Sequence, residues 1–217
     1  MKQGLLITFE GIEGSGKSTQ LRLAADWLKH RGIPLYCSRE PGGTEIGSEI
    51  RKILLSQKTV ALAPFSETLL YLADRFQHIT EILLPRLESG ELVLCDRYHD
   101  STVAYQGYAR GISVELISQI WDRSGLAIEP DLTLLFDVDP DVGIRRSLEK
   151  LQAQLLDESR FEQEAIEFHA RVRDGFLALS RENPDRIVLI DGADPQEKVH
   201  ESVRMILEKF LKSKGQL

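Results

Sequence analysis

The chain has only two cysteines and no long apolar run. Cys37 and Cys95 each end a short apolar run, which indicates small buried side chains rather than a disulfide framework or a metal site. No stretch reaches the roughly eighteen uninterrupted apolar residues of a membrane-spanning helix, and the apolar run before Glu10 is too short for a signal peptide. We therefore expect a cytoplasmic protein with no membrane partner.

The chain also lacks an excess of basic charge and any linker-like segment. Its net charge is −7, with 27 lysines and arginines against 34 aspartates and glutamates. An acidic balance disfavours a non-specific grip on nucleic-acid phosphates, so we expect no nucleic-acid partner. No repeat and no Gly/Ser/Pro-rich linker divides the sequence. Residues 1–217 are therefore expected to form a single domain.

Short apolar runs, by contrast, recur along the whole chain. They are 5–9, 33–37, 92–95, 132–138 and 187–190. Each run is nearly continuous rather than alternating, which is typical of strands covered on both faces. Helical patterns separate the runs. This alternation predicts an α/β fold with a parallel sheet, helices on both faces, and ligands at the carboxyl ends of the strands.

Three helical segments add detail to this prediction. In 64–88 the apolar side chains recur every three or four residues and predict one sustained helix. Near the end of the chain, Asp194 is a candidate N-cap, followed by Pro195 in the first turn. The segment 145–164 is charged and helix-forming, and its simplest interpretation is a solvated surface helix.

The stretch GIEGSGKS, at 11–18, satisfies the phosphate-loop spacing G-x-x-x-x-G-K-S between a predicted strand and a predicted helix. Its glycines let backbone N–H groups converge on an anion, and the following helix adds its positive end. Lys17 would place a charge on the β- and γ-phosphates, while the Ser18 hydroxyl can bind Mg²⁺. The predicted ATP-binding residues are Gly11, Ile12, Glu13, Gly14, Ser15, Gly16, Lys17, Ser18 and Thr19.

This loop alone does not separate a switch GTPase, a motor ATPase and a small-molecule kinase. A GTPase should carry a guanine-reading N-K-x-D, but the chain's one asparagine, Asn183, lies in ENPDR. The residues that choose between these classes must therefore lie elsewhere.

Charged residues follow two of the predicted strands directly. Arg39 ends the second, and Asp96 and Arg97 end the third. An Asp beside the phosphate loop can hold Mg²⁺ and its water shell, and an Arg there can bridge two phosphate groups. In the long predicted helix, Tyr71 and Arg75 are four residues apart and share a face, where a ring could stack on a base and an arginine could hold its polar edge.

Seven stretches taken together resemble the thymidylate kinases, and more specifically the bacterial type. They run in order over about residues 4–192 and read TFEGIEGSGKSTQ, SREPGGTEIG, SEIRKILL, LLYLADRFQH, LVLCDRYHDSTVAYQG, PDLTLLFDVDPDVGIRR and SRFEQEAIEFHARVR. The most diagnostic is DRYHDSTVAYQG. The resemblance implies the P-loop nucleoside monophosphate kinase fold with a five-stranded parallel sheet, the reaction ATP + dTMP → ADP + dTDP with Mg²⁺, and a homodimer.

The resemblance also implies roles for residues of the acceptor site. Glu13 corresponds to the acid that contacts the acceptor sugar's 3′-hydroxyl, Tyr71 to an aromatic ring that stacks on thymine, and Tyr105 to a tyrosine near the 2′ position. Arg75 corresponds to the arginine at the base edge. The remaining implied dTMP contacts are Arg39, Arg51 and Arg97 around the phosphate, and Thr102 and Gln106 near the base.

The family divides by whether a catalytic arginine lies in the phosphate loop or in a lid. The variable positions of this loop carry no basic residue, so a lid at about 141–164 must supply it. The candidates are Arg145, Arg146 and Arg160, of which Arg160 best matches the usual D-R-x-E, although Ser159 replaces the Asp. The predicted catalytic set is Lys17, Arg97, Arg146 and Arg160, and the predicted metal ligands are Ser18 and Asp96. The alternatives are a kinase for another nucleoside monophosphate and a P-loop ATPase switch or binding module.

Overall fold

A computed structural model gives the structure of the protein for residues 4–56, 62–154 and 160–217. Its strands are β1 (Leu5–Glu10), β2 (Leu35–Arg39), β3 (Leu92–Asp96), β4 (Leu132–Asp137) and β5 (Ile187–Asp191). Within the described ranges they form one five-stranded parallel sheet in the order β2-β3-β1-β4-β5. The predicted five-stranded parallel sheet is confirmed.

The helices cover both faces of this sheet. They are α1 (Lys17–His30), α2 (Glu45–Leu55), α3 (Pro64–His78), α4 (Leu84–Glu88), α5 (His99–Thr102), α6 (Val114–Arg123), α7 (Pro140–Gln154), α8 (Ile166–Glu182) and α9 (Gln196–Ser213). Two π-helical segments, Ile79–Leu83 and Val103–Ala109, join α3 to α4 and extend α5. In the described ranges, no helix is long and apolar enough to cross a membrane.

Burial on both faces explains the continuous apolar runs. Side chains of β1 alternate between two clusters: Phe9 packs under α1 and α9, whereas Leu6 faces the side of the sheet where the Ile79–Leu83 segment lies. Phe9 and Phe136 stack in the centre, with ring centroids 5.9 Å apart. This packing fixes β1 in the middle of the sheet, so the phosphate loop that follows it lies centrally.

The order of the strands brings the charged strand ends together. β1 pairs with β3 in the register Phe9 to Asp96, so the residues that follow both strands emerge side by side. Arg97 N–H donates to the carbonyl of Phe9 at 3.0 Å. The sheet therefore places Asp96 and Arg97 directly beside the phosphate loop.

Four local predictions need correction. The second strand runs from Leu35 to Arg39 rather than over 33–37, because Ile33 lies in the turn after α1, where its N–H donates to Leu28 O at 3.1 Å. Cys95 is buried as predicted, but Cys37 is exposed because β2 is an edge strand. No disulfide joins the two, which are free thiols.

The third and fourth corrections concern helices. Asp194 does not cap α9: the N-cap position is Pro195, without a side-chain cap, and Asp194 instead accepts a hydrogen bond from Lys198 Nζ at 2.9 Å. The helix predicted over 64–88 contains a π-helical turn just before Pro85. A proline has no N–H and its ring crowds the carbonyl four residues earlier, so a locally widened turn accommodates it.

Candidate active site

A cleft of about 900 Å³ opens at the carboxyl ends of the central strands. Its walls come from the phosphate loop, the ends of β2 and β3, the α5 and Val103–Ala109 region, α7, and the loop between β5 and α9. This is the edge at which a parallel α/β sheet binds its ligands. The location predicted for the site is thus the location of the cleft.

The phosphate loop is shaped by two close backbone approaches. At Gly14, with φ 67°, an added Cβ would lie 1.8 Å from the carbonyl oxygen of Gly143 at the start of α7. At Gly11 an added Cβ would lie 2.5 Å from the carbonyl oxygen of Phe136. No side chain fits at either position. The backbone of the loop therefore packs directly against the backbone of β4 and α7.

The loop surrounds a place suited to an anion. Lys17 is buried, its Nζ donates to Ile12 O at 3.0 Å, and its pKa is lowered to about 8 by burial and by the nearby Arg97 charge. Within the described part of the chain, the buried Ser15 hydroxyl has no hydrogen-bond partner. A phosphate chain would give this hydroxyl a partner and would favour the charged form of Lys17. Ile12 and Gly11 do not line the cleft; they lie below it and their carbonyls hold Lys17 and Arg97.

Arg97 occupies a strained position between the loop and the rest of the cleft. Its φ is 69°, the left-handed region that non-glycine residues rarely adopt. Its guanidinium donates to Gly11 O at 3.0 Å, to Glu13 Oε1 at 2.8 Å and to the Tyr105 hydroxyl at 3.0 Å. These bonds hold the strained conformation and fix the arginine at the cleft floor.

Glu13 is the acidic partner in this cluster. Burial alone would raise its pKa, but the Arg97 guanidinium, together with His169 and Lys17, holds the pKa of Glu13 well below its usual range. The Tyr105 hydroxyl donates to it at 2.7 Å. His169 Nδ1 lies 3.4 Å from its other oxygen. Glu13 is thus a charged carboxylate facing the cleft.

The two predicted metal ligands lie together at the strand edge. The Ser18 hydroxyl donates to a carboxylate oxygen of Asp96, and both residues line the cleft. A hydroxyl and a carboxylate are hard oxygen donors, the type that Mg²⁺ binds when substrate phosphates and water supply its remaining ligands. No cluster of three or more His, Cys, Asp or Glu side chains able to hold a metal occurs in the described ranges. The pair fits Mg²⁺ that arrives with a nucleotide.

The other end of the cleft holds most of the predicted acceptor residues. Those that line it are Glu13, Arg39, Arg51, Tyr71, Arg97, Thr102, Tyr105 and Gln106. Arg75 is not among them, since it is buried behind Thr102. Its guanidinium donates to Glu40 at 2.8 Å, to the Thr102 hydroxyl at 2.6 Å and to Tyr98 O at 2.9 Å. Arg75 therefore supports the pocket wall in this conformation.

The comparisons with known proteins agree with this geometry. The thymidylate kinase family model matches residues 9–203. A thymidylate kinase from Desulfovibrio desulfuricans is 43% identical over 213 residues, covering 97% of this chain and 98% of the relative; one from Desulforapulum autotrophicum is 47% identical over 197 residues, covering 90% and 87%. This chain belongs to the thymidylate kinase family.

A solved structure supports the same assignment. The crystal structure of thymidylate kinase from Ehrlichia chaffeensis is similar to this chain with a TM-score of 0.75 and 36% identity, covering 95% of this chain and 99% of that one. The P-loop nucleoside monophosphate kinase fold predicted from the sequence is therefore confirmed.

The three arginines of the predicted lid lie in different environments. Arg146 lines the cleft, and its Nη1 donates to Gly192 O at 2.8 Å in the loop after β5. Arg145 is exposed. Arg160 does not line the cleft; it donates to Leu54 O at 2.8 Å and to the Glu67 carboxylate. Positions 155–159 of the predicted lid, including Ser159, lie outside the described residues.

Several cleft residues were missed from the sequence. Glu162 lines the cleft, accepts a hydrogen bond from the Ser147 hydroxyl at 2.6 Å, and has its pKa raised by burial. Lys150 and Phe161 also line it. Glu162 lies in the same SRFEQE stretch as Arg160, two positions further along the chain.

Proposed function

We propose that this chain transfers the terminal phosphoryl group of ATP to the 5′-phosphate of dTMP. The observation that carries the proposal is the cluster of Glu13, Arg97 and Tyr105, which lies between an anion-binding loop and a pocket lined by arginines and an aromatic ring. A cluster with both charges suits an acceptor that brings a phosphate and a sugar hydroxyl together. A simple ATPase has no use for the second pocket.

On the donor side, backbone N–H groups of the phosphate loop and Lys17 would bind the β- and γ-phosphates. Mg²⁺, when bound with ATP, neutralises charge on those oxygens, and Ser18 and Asp96 would hold it. Phosphoryl transfer needs no covalent intermediate, so the residues act by position and charge.

Between the two sides, Arg97 would stabilise the phosphoryl group in transit. Its guanidinium already bonds to both the loop backbone and Glu13, so it need not reorganise during the reaction. Arg39 and Arg51, which also line the cleft, would bind the dTMP phosphate.

On the acceptor side, the Glu13 carboxylate would accept a hydrogen bond from the 3′-hydroxyl of the sugar. The Tyr105 ring is held by Phe161, Phe168 and Phe176, with centroid distances between 5.5 and 6.2 Å. A ring packed in this way cannot move aside for a 2′-hydroxyl, which supports a preference for the deoxy sugar. Tyr71 lines the same pocket and would stack on the base.

Among the lid arginines, we assign the catalytic charge to Arg146. Of the three candidates, Arg146 lines the cleft, beside residues 192–195 of the loop between β5 and α9. Arg160 remains a candidate, but its contacts with Leu54 and Glu67 favour a role at the acceptor wall.

A coupled assay of ADP release tests this function with dTMP, dUMP, dCMP, dGMP and AMP as acceptors. We expect strong, selective stimulation by dTMP. Stimulation by another nucleotide would identify a different nucleoside monophosphate kinase, and slow hydrolysis that no acceptor stimulates would identify an ATPase. The homodimer, the cytoplasmic location and the lack of nucleic-acid and membrane partners remain predictions.

A further inference from the structure

Glu67, in the first turn of α3, is a buried carboxylate that the phosphoryl transfer described above does not use. The residue is 0% exposed, yet Gln106, Arg110 and Arg160 all donate hydrogen bonds to it. Arg110 Nε lies 3.2 Å from Glu67 Oε1, and Arg160 reaches Oε2. The two guanidinium groups offset the cost of burying the carboxylate. These ion pairs do not explain why the neutral Gln106 amide also donates a hydrogen bond to Glu67.

The contact with Glu67 fixes the direction of the Gln106 amide. Gln106 Nε2 donates to Glu67 Oε1 at 2.9 Å. A carboxylate that is paired with two guanidinium groups acts as an acceptor, because those groups only donate. Turning the amide over would set two acceptor oxygens against each other. Gln106 is therefore held with Nε2 toward Glu67 and Oε1 away from it.

The oxygen that remains belongs to a residue that lines the acceptor end of the cleft. In the described ranges, Gln106 Oε1 accepts no hydrogen bond, whereas Nε2 donates to Glu67. Thr102, four residues earlier, lines the same wall, and its hydroxyl oxygen accepts from Arg75 Nη1 at 2.6 Å. The Thr102 proton is therefore available to a ligand. The wall presents a donor at Thr102 and an acceptor at Gln106.

We propose that Glu67 is a positioning residue that sets base preference, by holding Gln106 with its carbonyl oxygen toward the acceptor base. This inference rests on the proposed function. Thymine and uracil present a carbonyl at C4 beside an N–H at N3, which complements the pattern of Thr102 and Gln106. Cytosine presents an amino group beside a lone pair, and it would need the opposite orientation of the Gln106 amide.

The test compares Glu67→Gln with the unmodified enzyme on dTMP and dCMP. A glutamine at 67 can either accept or donate, so the Gln106 amide is no longer held in one orientation. We expect the KM for dTMP to rise about tenfold, the ratio of kcat/KM for dTMP to that for dCMP to fall by a similar factor, and the KM for ATP to stay within twofold. An equal loss with both acceptors would overturn the proposal.

Two further variants separate positioning from general structural damage. Arg110→Met removes a charged partner of Glu67 without touching Gln106, so the dTMP/dCMP ratio should stay as in the unmodified enzyme. In a Gln106→Leu background, Glu67→Gln should leave the ratio unchanged, because the group it orients is gone. A further fall of the ratio in that background would show that Glu67 acts by another route. If the unmodified enzyme itself did not use dTMP, the proposed function would fail first.

An NMR measurement on the unmodified protein carries the test if Glu67→Gln does not fold. The Nε2 protons of Gln106, assigned by their loss in Gln106→Leu, should show nuclear Overhauser contacts to the Glu67 γ-methylene protons when dTMP is bound. Their absence would mean that the amide is turned over, and the proposal would be wrong.

Discussion

The donor and acceptor sides of the cleft are built in different ways. The donor side is formed by consecutive residues, 11–18, whose backbone lies close to Phe136 O and Gly143 O at positions where only glycine fits. The acceptor side is assembled from side chains of separate elements, joined by ion pairs such as Glu13 with Arg97 and Glu40 with Arg75. One side depends on backbone shape, and the other on a network of charges.

This difference determines how each side should respond to change. A network of buried charges is coupled, so removal of one member leaves its partner unpaired and affects its neighbours. A backbone loop is sensitive to added atoms but not to the charge of distant residues.

The largest effect is expected for Arg97→Ala, because Arg97 bonds both to the loop carbonyl of Gly11 and to Glu13. Turnover should fall about a thousandfold, as for other arginines that stabilise a phosphoryl group in transit. Single-turnover kinetics measure this, and circular dichroism checks the fold. Arg22→Ala, which removes an exposed arginine that pairs with Asp26 at 4.0 Å, is the control. A loss of less than tenfold would remove Arg97 from the catalytic set.

Arg146→Ala and Arg160→Ala should differ although both residues come from the predicted lid. Arg146 lines the cleft near Gly192, so its loss should lower kcat about a hundredfold. Arg160 contacts Leu54 and Glu67, so its loss should act mainly on the KM for dTMP. Steady-state kinetics with both substrates measure the difference. The reverse pattern would return the catalytic charge to Arg160.

Gly14→Ala tests the backbone construction of the donor side. The added Cβ would lie 1.8 Å from Gly143 O, so the loop must move, and the KM for ATP should rise at least about tenfold. Gly32→Ala is the matched control, since Gly32 also has a positive φ, 75°, but nothing lies within 4 Å of the new Cβ. That variant should lose about 1 kcal/mol of stability and keep its kinetics. An unchanged KM for ATP in Gly14→Ala would show that the loop tolerates the shift.

The same contrast explains what the sequence could and could not predict. The phosphate loop is contiguous, so its spacing alone identifies Lys17 and Ser18, and the apolar runs predict the strands but not their order in the sheet. The acceptor network depends on which distant residues meet. The resemblance implies Arg75 at the base edge; in the structure Arg75 lies behind Thr102, where Glu40 and Tyr98 O also accept hydrogen bonds from its guanidinium. These long-range contacts of Arg75 cannot be predicted from the spacing of residues in the sequence.

The exposure of Cys37 and the burial of Glu67 also depend on features that the local sequence does not contain. Cys37 ends an apolar run, but it lies on an edge strand, and the order of strands cannot be read from the run itself. No sequence pattern predicts that Glu67 is buried, since a glutamate in the first turn of a helix is ordinarily solvated and interacts favourably with the helix dipole. Its burial is possible because Arg110 and Arg160, which are distant in the sequence, form ion pairs with its carboxylate.

Tyr105 allows two contributions to the acceptor side to be separated. Tyr105→Phe removes only the hydroxyl that donates to Glu13, so kcat/KM for dTMP should fall by less than about tenfold and the preference for dTMP over its ribonucleotide should remain. Tyr105→Ala removes the ring, so the ratio of kcat/KM for dTMP to that for its ribonucleotide should fall. Competition assays with both nucleotides measure it. An equal preference in all three proteins would assign the exclusion of the 2′-hydroxyl to another residue.

The smallest effect on turnover, but a clear effect on stability, is expected at Glu10, which links the two sides by accepting hydrogen bonds from Tyr98 N and the Ser101 hydroxyl. Burial, and then the charge of Asp100, raise the pKa of Glu10 to about 8 from 4.5. Between these values the folded protein holds a proton that the unfolded chain releases, so this residue's contribution to stability is lost as the pH rises toward 8.

Glu10→Gln cannot titrate and should remove this dependence. Urea unfolding from pH 5 to 9 should show the free energy of unfolding of the unmodified protein falling relative to that of the variant, by at most about 1.4 kcal/mol per pH unit below pH 8. Above that pH the difference should be constant, because both states then carry the charge. Parallel curves over the whole range would mean that Glu10 is ionised in the folded protein at neutral pH. Arg97 would then compensate two buried carboxylates at the boundary between the donor and acceptor sides.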